Sequence, residues 1–121
     1  MNQNVEAYLK KIGEELISFT QEVVQIKSIS DQEGELAHFI EARMKKLGYD
    51  EVFIDSVGNV VGRIGDEGKS ILFDSHMDTV EVNDEADWIV PPFSGQIVDG
   101  SVYGRGSMDM KSSIASSVYG R

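Results

Sequence analysis

The hydrophobic period of this chain changes at Gly48, and the change limits the folds that the chain can adopt. Before Gly48, apolar residues recur every three or four positions from Val5 to Val24 and again from Leu36 to Leu47. This spacing gives each stretch one apolar face and predicts two amphipathic helices. Residues Ser30 to Glu33 form a capping-box pattern ahead of the second helix, and glycine is a typical helix end. The fold therefore opens with helices that pack against a core.

After Gly48 the apolar residues alternate with polar ones, which predicts short β-strands. Strands are expected at 52–54 and 59–64, and a hairpin is expected over 96–103 because Asp99-Gly100 suits a two-residue turn. The wholly apolar run Ile71 to Phe73 is typical of a strand buried on both faces of a sheet. A last helix is predicted from Met110 onwards. Two helices followed by strands predict a fold of the α/β class.

The charge balance excludes several classes of partner. The 121 residues include 21 acidic and 11 basic ones, with no basic run longer than a pair such as Lys45-Lys46. The formal net charge of −10 repels phosphate backbones and anionic lipids, so we expect no nucleic acid and no membrane partner. No apolar run reaches the length of a signal-peptide core or a membrane span, which predicts a cytoplasmic protein.

His76 and Asp78 directly follow the predicted buried strand and are candidate site residues. Residues two apart on an extended segment point the same way, so both side chains can address one site at the carboxyl edge of a sheet. The chain has no cysteine, so any metal must be held by histidine and carboxylate. A polar loop that simply caps a strand is the alternative. The other histidine, His38, lies on a predicted helix and is expected to be packed or exposed instead of binding a metal.

A second candidate group lies in the segment YGRGSMDMKSS, from Tyr103 to Ser113. Two glycines precede Asp109, which stands near the start of the last predicted helix, where a carboxylate is favoured by unpaired N–H groups. Asp109 could therefore be a site residue or a simple helix cap. A phosphate-binding P-loop is excluded, because Met110 stands before Lys111 where that motif needs glycine.

Three segments, ILFDSHMDTV, DWIVPPFSG and DGSVYGRGSMDMK, occur in the order and at the spacing of a known family. Together they resemble the M20 family of metallopeptidases and amidohydrolases, which includes acetylornithine deacetylase, succinyl-diaminopimelate desuccinylase and carboxypeptidase G. The segment GSMDMKSS is similar to the selenium-metabolism-linked hydrolases of that family. The resemblance implies that residues 1–121 are the N-terminal part of a mixed-sheet, zinc-exopeptidase-like catalytic domain. The lid or dimerisation domain and the C-terminal part of the catalytic domain would then lie outside the chain.

The resemblance also implies a role for each candidate residue. His76 is expected to bind one metal, Asp109 to bridge two metals, and Asp78 to be a catalytic-site acid that acts on the metal-binding histidine. The expected cofactor is Zn²⁺, two ions per complete site, with Co²⁺ or Mn²⁺ as alternatives. Residues 88–93 are expected to lie beside the site, and the peptide bond after Asp109 is expected to be cis.

By the same resemblance, the full-length parent is expected to be a dinuclear metallohydrolase that cleaves a C–N amide or peptide bond through a metal-activated water. Its expected substrate is a small N-acyl amino acid or short peptide, and it could form a homodimer. The family's general base and remaining ligands lie beyond Arg121, so this chain alone is expected to be inactive. Two alternatives are a noncatalytic metal-binding module and a phosphoacceptor receiver domain with Asp74 as acceptor. Opening on two helices argues against the receiver.

Overall fold

The computed structural model describes residues 3–121, and its first two elements are the predicted helices. Helix α1 covers Gln3–Gln25 and helix α2 covers Gly34–Leu47. Helix α2 ends at Gly48, whose φ of 81° lies in the left-handed region that glycine adopts without strain. The Gly48 N–H donates to the carbonyl of Lys45 at 3.1 Å, which closes the last turn of the helix.

The core lies where these two helices meet a third, α3, which covers Ser112–Tyr119. Phe19 of α1 stands at its centre, with its ring 5.7 Å from that of Phe39 and 5.5 Å from that of Tyr119. Arg43 covers the Phe19 ring at 4.7 Å and donates a hydrogen bond to the Tyr119 hydroxyl at 2.6 Å. The buried apolar cluster comprises Phe19, Val23, Leu36, Ile40, Ile114, Ala115, Val118 and Tyr119.

Two antiparallel pairs of strands follow the helices. Strands β1, Glu51–Ile54, and β2, Val60–Arg63, pair with Glu51 opposite Arg63 and pack against α2. Strands β3, Ile97–Val98, and β4, Ser101–Val102, form the predicted hairpin. Both residues of its turn have positive φ, 50° at Asp99 and 76° at Gly100, as the Asp-Gly pair predicts. The α/β class is therefore confirmed, with helices first and strands after them.

The predicted buried strand at Ile71–Phe73 is wrong. These residues form no strand, and Ile71, Leu72 and Phe73 are 82%, 89% and 74% exposed. A strand buried on both faces needs partner strands at its edges and a layer on each face. Within residues 3–121 no strand pairs with this run, and the extended backbone forms a bridge only farther along, where Thr79 pairs with Ile29 in parallel. The run has the composition of a buried strand, but the described residues do not form the layers that such a strand requires.

Among residues 3–121, no helix is both long enough and apolar enough to cross a membrane.

The two leucines Leu36 and Leu72 should respond very differently to truncation. Leu36 is fully buried in the core, so Leu36→Ala should lower the free energy of unfolding by about 2–5 kcal/mol. Leu72→Ala removes an exposed side chain and should change that free energy by no more than about 0.5 kcal/mol. Urea unfolding followed by circular dichroism measures both. An equal loss in the two variants would show that the 71–73 run is buried after all.

Candidate metal centre

The site is built around His76, whose two ring nitrogens face two different carboxylates. Its Nε2 lies 2.9 Å from Oδ1 of Asp109, and its Nδ1 lies 3.1 Å from Oδ1 of Asp78. Nδ1 also lies 3.1 Å from the backbone carbonyl oxygen of Asp78. The structure thus brings together all three residues that the sequence singled out, across 33 positions of chain between His76 and Asp109.

The surroundings of Nδ1 decide which tautomer of His76 is favoured. Both of its neighbours are oxygen acceptors, so Nδ1 must carry a proton to bond with either one. The neutral ring then keeps its lone pair on Nε2, the nitrogen that faces Asp109. When Nε2 is protonated as well, it donates to the Asp109 carboxylate, and this hydrogen bond raises the pKa of His76. A cation between Nε2 and Asp109 would replace that proton.

Asp78 is oriented by a residue that the sequence assigned elsewhere. The Ser30 hydroxyl donates to Oδ2 of Asp78 at 2.6 Å, and this bond is the main cause that lowers the pKa of Asp78. The predicted capping box at Ser30–Glu33 is therefore wrong. Helix α2 begins at Gly34 without a side-chain cap, and the Glu33 carboxylate accepts from the Asp31 N–H at 3.0 Å. Ser30 fixes one oxygen of Asp78 and leaves the other for His76.

The segment from Ile26 to Ser30, the first part of the connection between α1 and α2, also holds the backbone around His76. The Thr79 N–H donates to the Ser28 carbonyl at 2.8 Å, and the Ser28 hydroxyl donates to the Met77 carbonyl at 2.7 Å. Ser28 itself is fully buried. These bonds fix the backbone on both sides of Asp78, so the extended segment that carries His76 and Asp78 has little freedom to shift.

The site has two halves, the extended segment with His76 and Asp78 and the turn with Asp109. Lys111 connects the turn to the Ile26–Ser30 segment. Its side chain is completely buried, and its ammonium donates to the carbonyl of Ile26 at 2.5 Å. Burial lowers the pKa of Lys111 to about 8. Because Lys111 comes two residues after Asp109, the bond anchors the turn that presents this carboxylate. The sequence places Lys111 only in a P-loop-like pattern and does not predict this role, because the role depends on a contact between residues 85 positions apart.

The turn itself covers residues 107–111 and contains a cis peptide bond between Asp109 and Met110, as the family resemblance implied. Gly106 precedes it with a φ of 76°, and a Cβ there would collide with the Thr79 methyl group. Helix α3 starts after the turn without a side-chain cap, so the reading of Asp109 as a helix cap is wrong. The Asp109 side chain is 86% exposed and points one oxygen at His76.

Residues 88–93 lie beside this turn. The Arg105 N–H donates to the carbonyl of Pro92 at 2.6 Å, and its guanidinium stands 5.3 Å from the centre of the Trp88 ring. A cleft of 260 Å³ opens between the two halves of the site. Its lining comprises His76, Asp78, Thr79, Val80, Gly104, Arg105, Gly106, Ser107, Met108 and Asp109.

His76 Nε2 and an oxygen of Asp109 are the donors that could hold a metal here. Imidazole nitrogen and carboxylate oxygen are both ordinary zinc ligands. Asp78 lies beside Nδ1, the position from which a carboxylate commonly orients a metal-binding histidine. No group of three or more histidine and acidic side chains in residues 3–121 is arranged to hold a metal ion. The other histidine, His38, is 76% exposed on α2, and its Nδ1 lies 3.6 Å from Oε2 of Glu41.

Comparison with known proteins finds a family match over the region that contains His76, Asp78 and Asp109. Residues 72–120, which include all three predicted site residues, match the family model described as Peptidase family M20/M25/M40. The chain is 36% identical over 105 residues to the uncharacterized protein YgeY of Escherichia coli K12, covering 87% of this chain and 26% of that protein.

Two further relatives carry an enzyme's name. The succinyl-diaminopimelate desuccinylase of Bradyrhizobium sp. strain ORS 278 is 36% identical over 109 residues, covering 84% of this chain and 28% of the relative. The succinyl-diaminopimelate desuccinylase of Rhodospirillum centenum is 43% identical over 70 residues, covering 58% and 18%. The chain spans about a quarter of the length of the first relatives that it matches.

Replacing Ser30 should change the titration of Asp78. A hydrogen bond to the ionised carboxylate lowers its pKa, so Ser30→Ala should raise the pKa of Asp78 towards the ordinary value. Because the folded pKa lies below the unfolded one, this bond stabilises the fold at neutral pH and the benefit is lost as the pH falls through the folded pKa. Carbon-detected NMR titration of the metal-free chain measures the shift. Ser101→Ala, at an exposed serine in β4, is the control and should leave the pKa of Asp78 unchanged.

Proposed function

We propose, because this chain belongs to the M20/M25/M40 family of peptidases, that it supplies part of the metal centre of an enzyme that hydrolyses amide bonds. The observation that carries the proposal is the contact of 2.9 Å between His76 Nε2 and Asp109 Oδ1. An imidazole nitrogen and a carboxylate oxygen, two kinds of atom that bind zinc, meet there at the edge of an open cleft. Nδ1 of the ring already bonds to Asp78, which leaves Nε2 and the Asp109 carboxylate to bind a cation.

The metal in this proposal is zinc, two ions per complete site, with cobalt or manganese as alternatives. His76 would bind one ion and Asp109 would bridge both, because its 86% exposed carboxylate has a second oxygen that can face another ion. Bound there, the ions would polarise the amide carbonyl and activate the attacking water. In this proposal the other ligands and the general base come from the length of the relatives that this chain does not span.

Asp78 has the part of a positioning acid in this proposal. Its carboxylate accepts a hydrogen bond from the Nδ1–H of His76. This bond keeps the Nε2 lone pair directed at the metal and raises the basicity of the ring. The Ser30 hydroxyl, 2.6 Å from the other Asp78 oxygen, holds the carboxylate in that orientation. Asp78 therefore affects the reaction through His76 and not by contact with the metal.

The substrate class follows from the named relatives. Two of them are succinyl-diaminopimelate desuccinylases, so the proposed substrate is a small N-acyl amino acid or a short peptide. Residues 1–121 would form the N-terminal part of the catalytic domain. Dimerisation through a lid domain and a cytoplasmic location remain predictions of the sequence.

Of the two alternatives, the noncatalytic metal-binding module shares every contact described above and differs only in lacking turnover. The receiver domain has less support. Its acceptor Asp74 would have to follow a buried strand, whereas the run before it is exposed and both strand pairs in residues 3–121, β1–β2 and β3–β4, are antiparallel. Activity of the full-length protein separates the enzyme from the module.

The chain should bind zinc through His76 and Asp109. Isothermal titration with zinc should give weak binding, since two protein ligands fall short of the usual three or four. Affinity should fall as the pH falls, because a proton on Nε2 competes with the metal. The fall should begin above pH 6.5, the ordinary imidazole pKa, because Asp109 raises the pKa of His76.

Three substitutions make the zinc titration specific. His76→Ala and Asp109→Ala should each weaken zinc binding by about tenfold or more, as expected when one of two ligands is lost. His38→Ala removes the other histidine, which is 76% exposed and pairs with Glu41 instead of Asp109, so this variant should bind zinc as the unchanged chain does. Equal weakening by His38→Ala and His76→Ala would refute the assignment.

In the full-length protein, Asp78→Ala should reduce metal affinity or the rate of amide hydrolysis by about 10 to 100-fold, the usual effect of losing an outer acid behind a metal-binding histidine. N-succinyl and N-acetyl amino acids, assayed with added zinc and after chelation, are the test substrates. Asp74→Ala, at an exposed acid on the same segment, is the matched control and should keep full activity. Unchanged kinetics in Asp78→Ala would remove Asp78 from the mechanism.

A further inference from the structure

The apolar run from Ile71 to Phe73 lacks the partners that a strand of this composition normally has. Its three side chains are 82%, 89% and 74% exposed, and no other three consecutive large apolar side chains of residues 3–121 are exposed in this way. In the same part of the chain, no backbone N–H or carbonyl of positions 70–75 makes a hydrogen bond to another backbone group. A free edge with an exposed apolar run is a template for pairing with another strand.

A groove of 520 Å³ lies between this run and strand β2. Residues 72–75 line one side of the groove, and residues 59–62, which include most of β2, line the other. Strand β2 pairs only with β1, so its second edge is also unpaired in the part of the chain that the structure describes. Helices α2 and α3 contribute the remaining, largely apolar lining, which includes Ile40, Met44, Ile114 and Val118. The groove therefore offers apolar contacts together with unpaired backbone on two sides.

An occupant that satisfies this groove is an extended apolar segment with a free backbone. Within residues 3–121, the run from Ile71 to Phe73 is the segment with these properties, but it already forms one wall of its own groove. It can therefore fill only the groove of another molecule. We propose that two copies of this chain pair through residues 71–73, with each run lying in the groove of the partner copy. The inference concerns the chain itself and does not rest on the proposed function.

Reciprocal insertion joins the two copies through one continuous sheet of six strands. Its order is β1 and β2 of the first copy, the run of the partner copy, the run of the first copy, and then β2 and β1 of the partner copy. The two central runs are related by a twofold axis, so they are antiparallel and each copy contributes the same surface. The arrangement is closed, because both grooves are filled and no further copy can be added in the same way.

The residues of the run select the register of the two central strands. In an antiparallel pair on a twofold axis, one residue lies opposite its own counterpart. With Leu72 at that position, Ile71 lies opposite Phe73 of the partner copy, and every apolar residue faces another apolar residue. Centring the pair on Ile71 would place Leu72 opposite Ser70, and centring it on Phe73 would place Leu72 opposite Asp74. The proposed pair is therefore centred on Leu72.

The charges at the two ends of the run also favour antiparallel pairing. Lys69 precedes the run and Asp74 follows it, so antiparallel strands bring the cationic end of one copy to the anionic end of the other. The net charge of −10 on each copy opposes association at longer range. Salt screens that repulsion, so the pair should form more readily in about 0.5 M than in about 0.05 M sodium chloride.

Sedimentation velocity of the chain over a range of concentrations tests the pairing. The mass should rise from 13.4 kDa towards twice that value and then stop rising. Hydrogen exchange should slow on dimerisation at the amides of residues 71–73 and of β2. At the low micromolar concentrations suited to urea unfolding the chain should be a monomer, in which Leu72 stays exposed. A mass that stays at the monomer value up to about 1 mM, or that grows beyond the dimer, would overturn the proposal.

Leu72→Lys should raise the Kd of the dimer at least tenfold, because it places two lysines opposite each other on the twofold axis. Ile89→Lys is the matched control. Ile89 is 70% exposed but does not line the groove, so this variant should keep the Kd of the unchanged chain. The two variants carry the same net charge, so a difference between them reports the position of the lysine. Unchanged dimerisation of Leu72→Lys would overturn the interface.

The chain has no cysteine, so introduced cysteines report the register. With oxidised glutathione as the oxidant, Leu72→Cys should form a disulfide-linked dimer. Ile71→Cys and Phe73→Cys should cross-link with each other in a mixed sample in preference to cross-linking with themselves. Ile89→Cys is the control and should remain a monomer at the same concentration. Preferential self-cross-linking of Ile71→Cys or Phe73→Cys would overturn the pairing centred on Leu72.

Discussion

The site depends on the hydrogen bonds that the Ile26–Ser30 segment makes to both of its halves. One carbonyl of this segment, from Ile26, accepts from the buried ammonium of Lys111, and another, from Ser28, accepts from the N–H of Thr79. The first bond anchors the turn with Asp109, and the second anchors the extended segment with His76. The distance between the two candidate metal ligands is therefore set by one short connection between two helices. A buried ammonium is expensive to desolvate, so its bond to a carbonyl is hard to replace and restricts the turn strongly.

This framework explains why polar side chains can sit in fixed positions at an exposed site. His76 and Asp78 are each about 40–46% exposed, and a loop with so much contact with water would ordinarily sample several conformations. Here the backbone around them is bonded to buried groups of the helical layer. The three helices pack around Phe19, and the site lies on the rim of that core. Rigidity reaches the cleft through backbone hydrogen bonds, while the side chains keep the access to solvent that a substrate requires.

The side chains of the site form a continuous chain of polar contacts. The Ser30 hydroxyl donates to Asp78, Asp78 accepts from Nδ1 of His76, and Nε2 faces Asp109. Without a metal this order favours a doubly protonated ring, because an acceptor stands at each nitrogen. A cation at Nε2 would take the place of one proton, which makes the same arrangement suited to metal binding and sensitive to pH. Arg105, whose guanidinium carbon lies 5.3 Å from the centre of the Trp88 ring, lines the same cleft and adds a positive group that no carboxylate of the described residues neutralises.

The sequence by itself determined the local elements and singled out the candidate site residues His76, Asp78 and Asp109, which the structure brings together. Apolar spacing predicted α1 and α2, Gly48 predicted the end of α2, and the Asp99-Gly100 pair predicted the hairpin, because each depends on backbone preferences of a few neighbouring residues. Tertiary structure decided what those local patterns could not. Ser30 caps no helix but bonds to Asp78, 48 positions away, and Lys111 bonds to Ile26, 85 positions away. The run at Ile71–Phe73 has the composition of a buried strand, yet it is exposed. A short pattern records which face or turn a segment prefers, whereas burial and long-range hydrogen bonds depend on which other segments pack beside it.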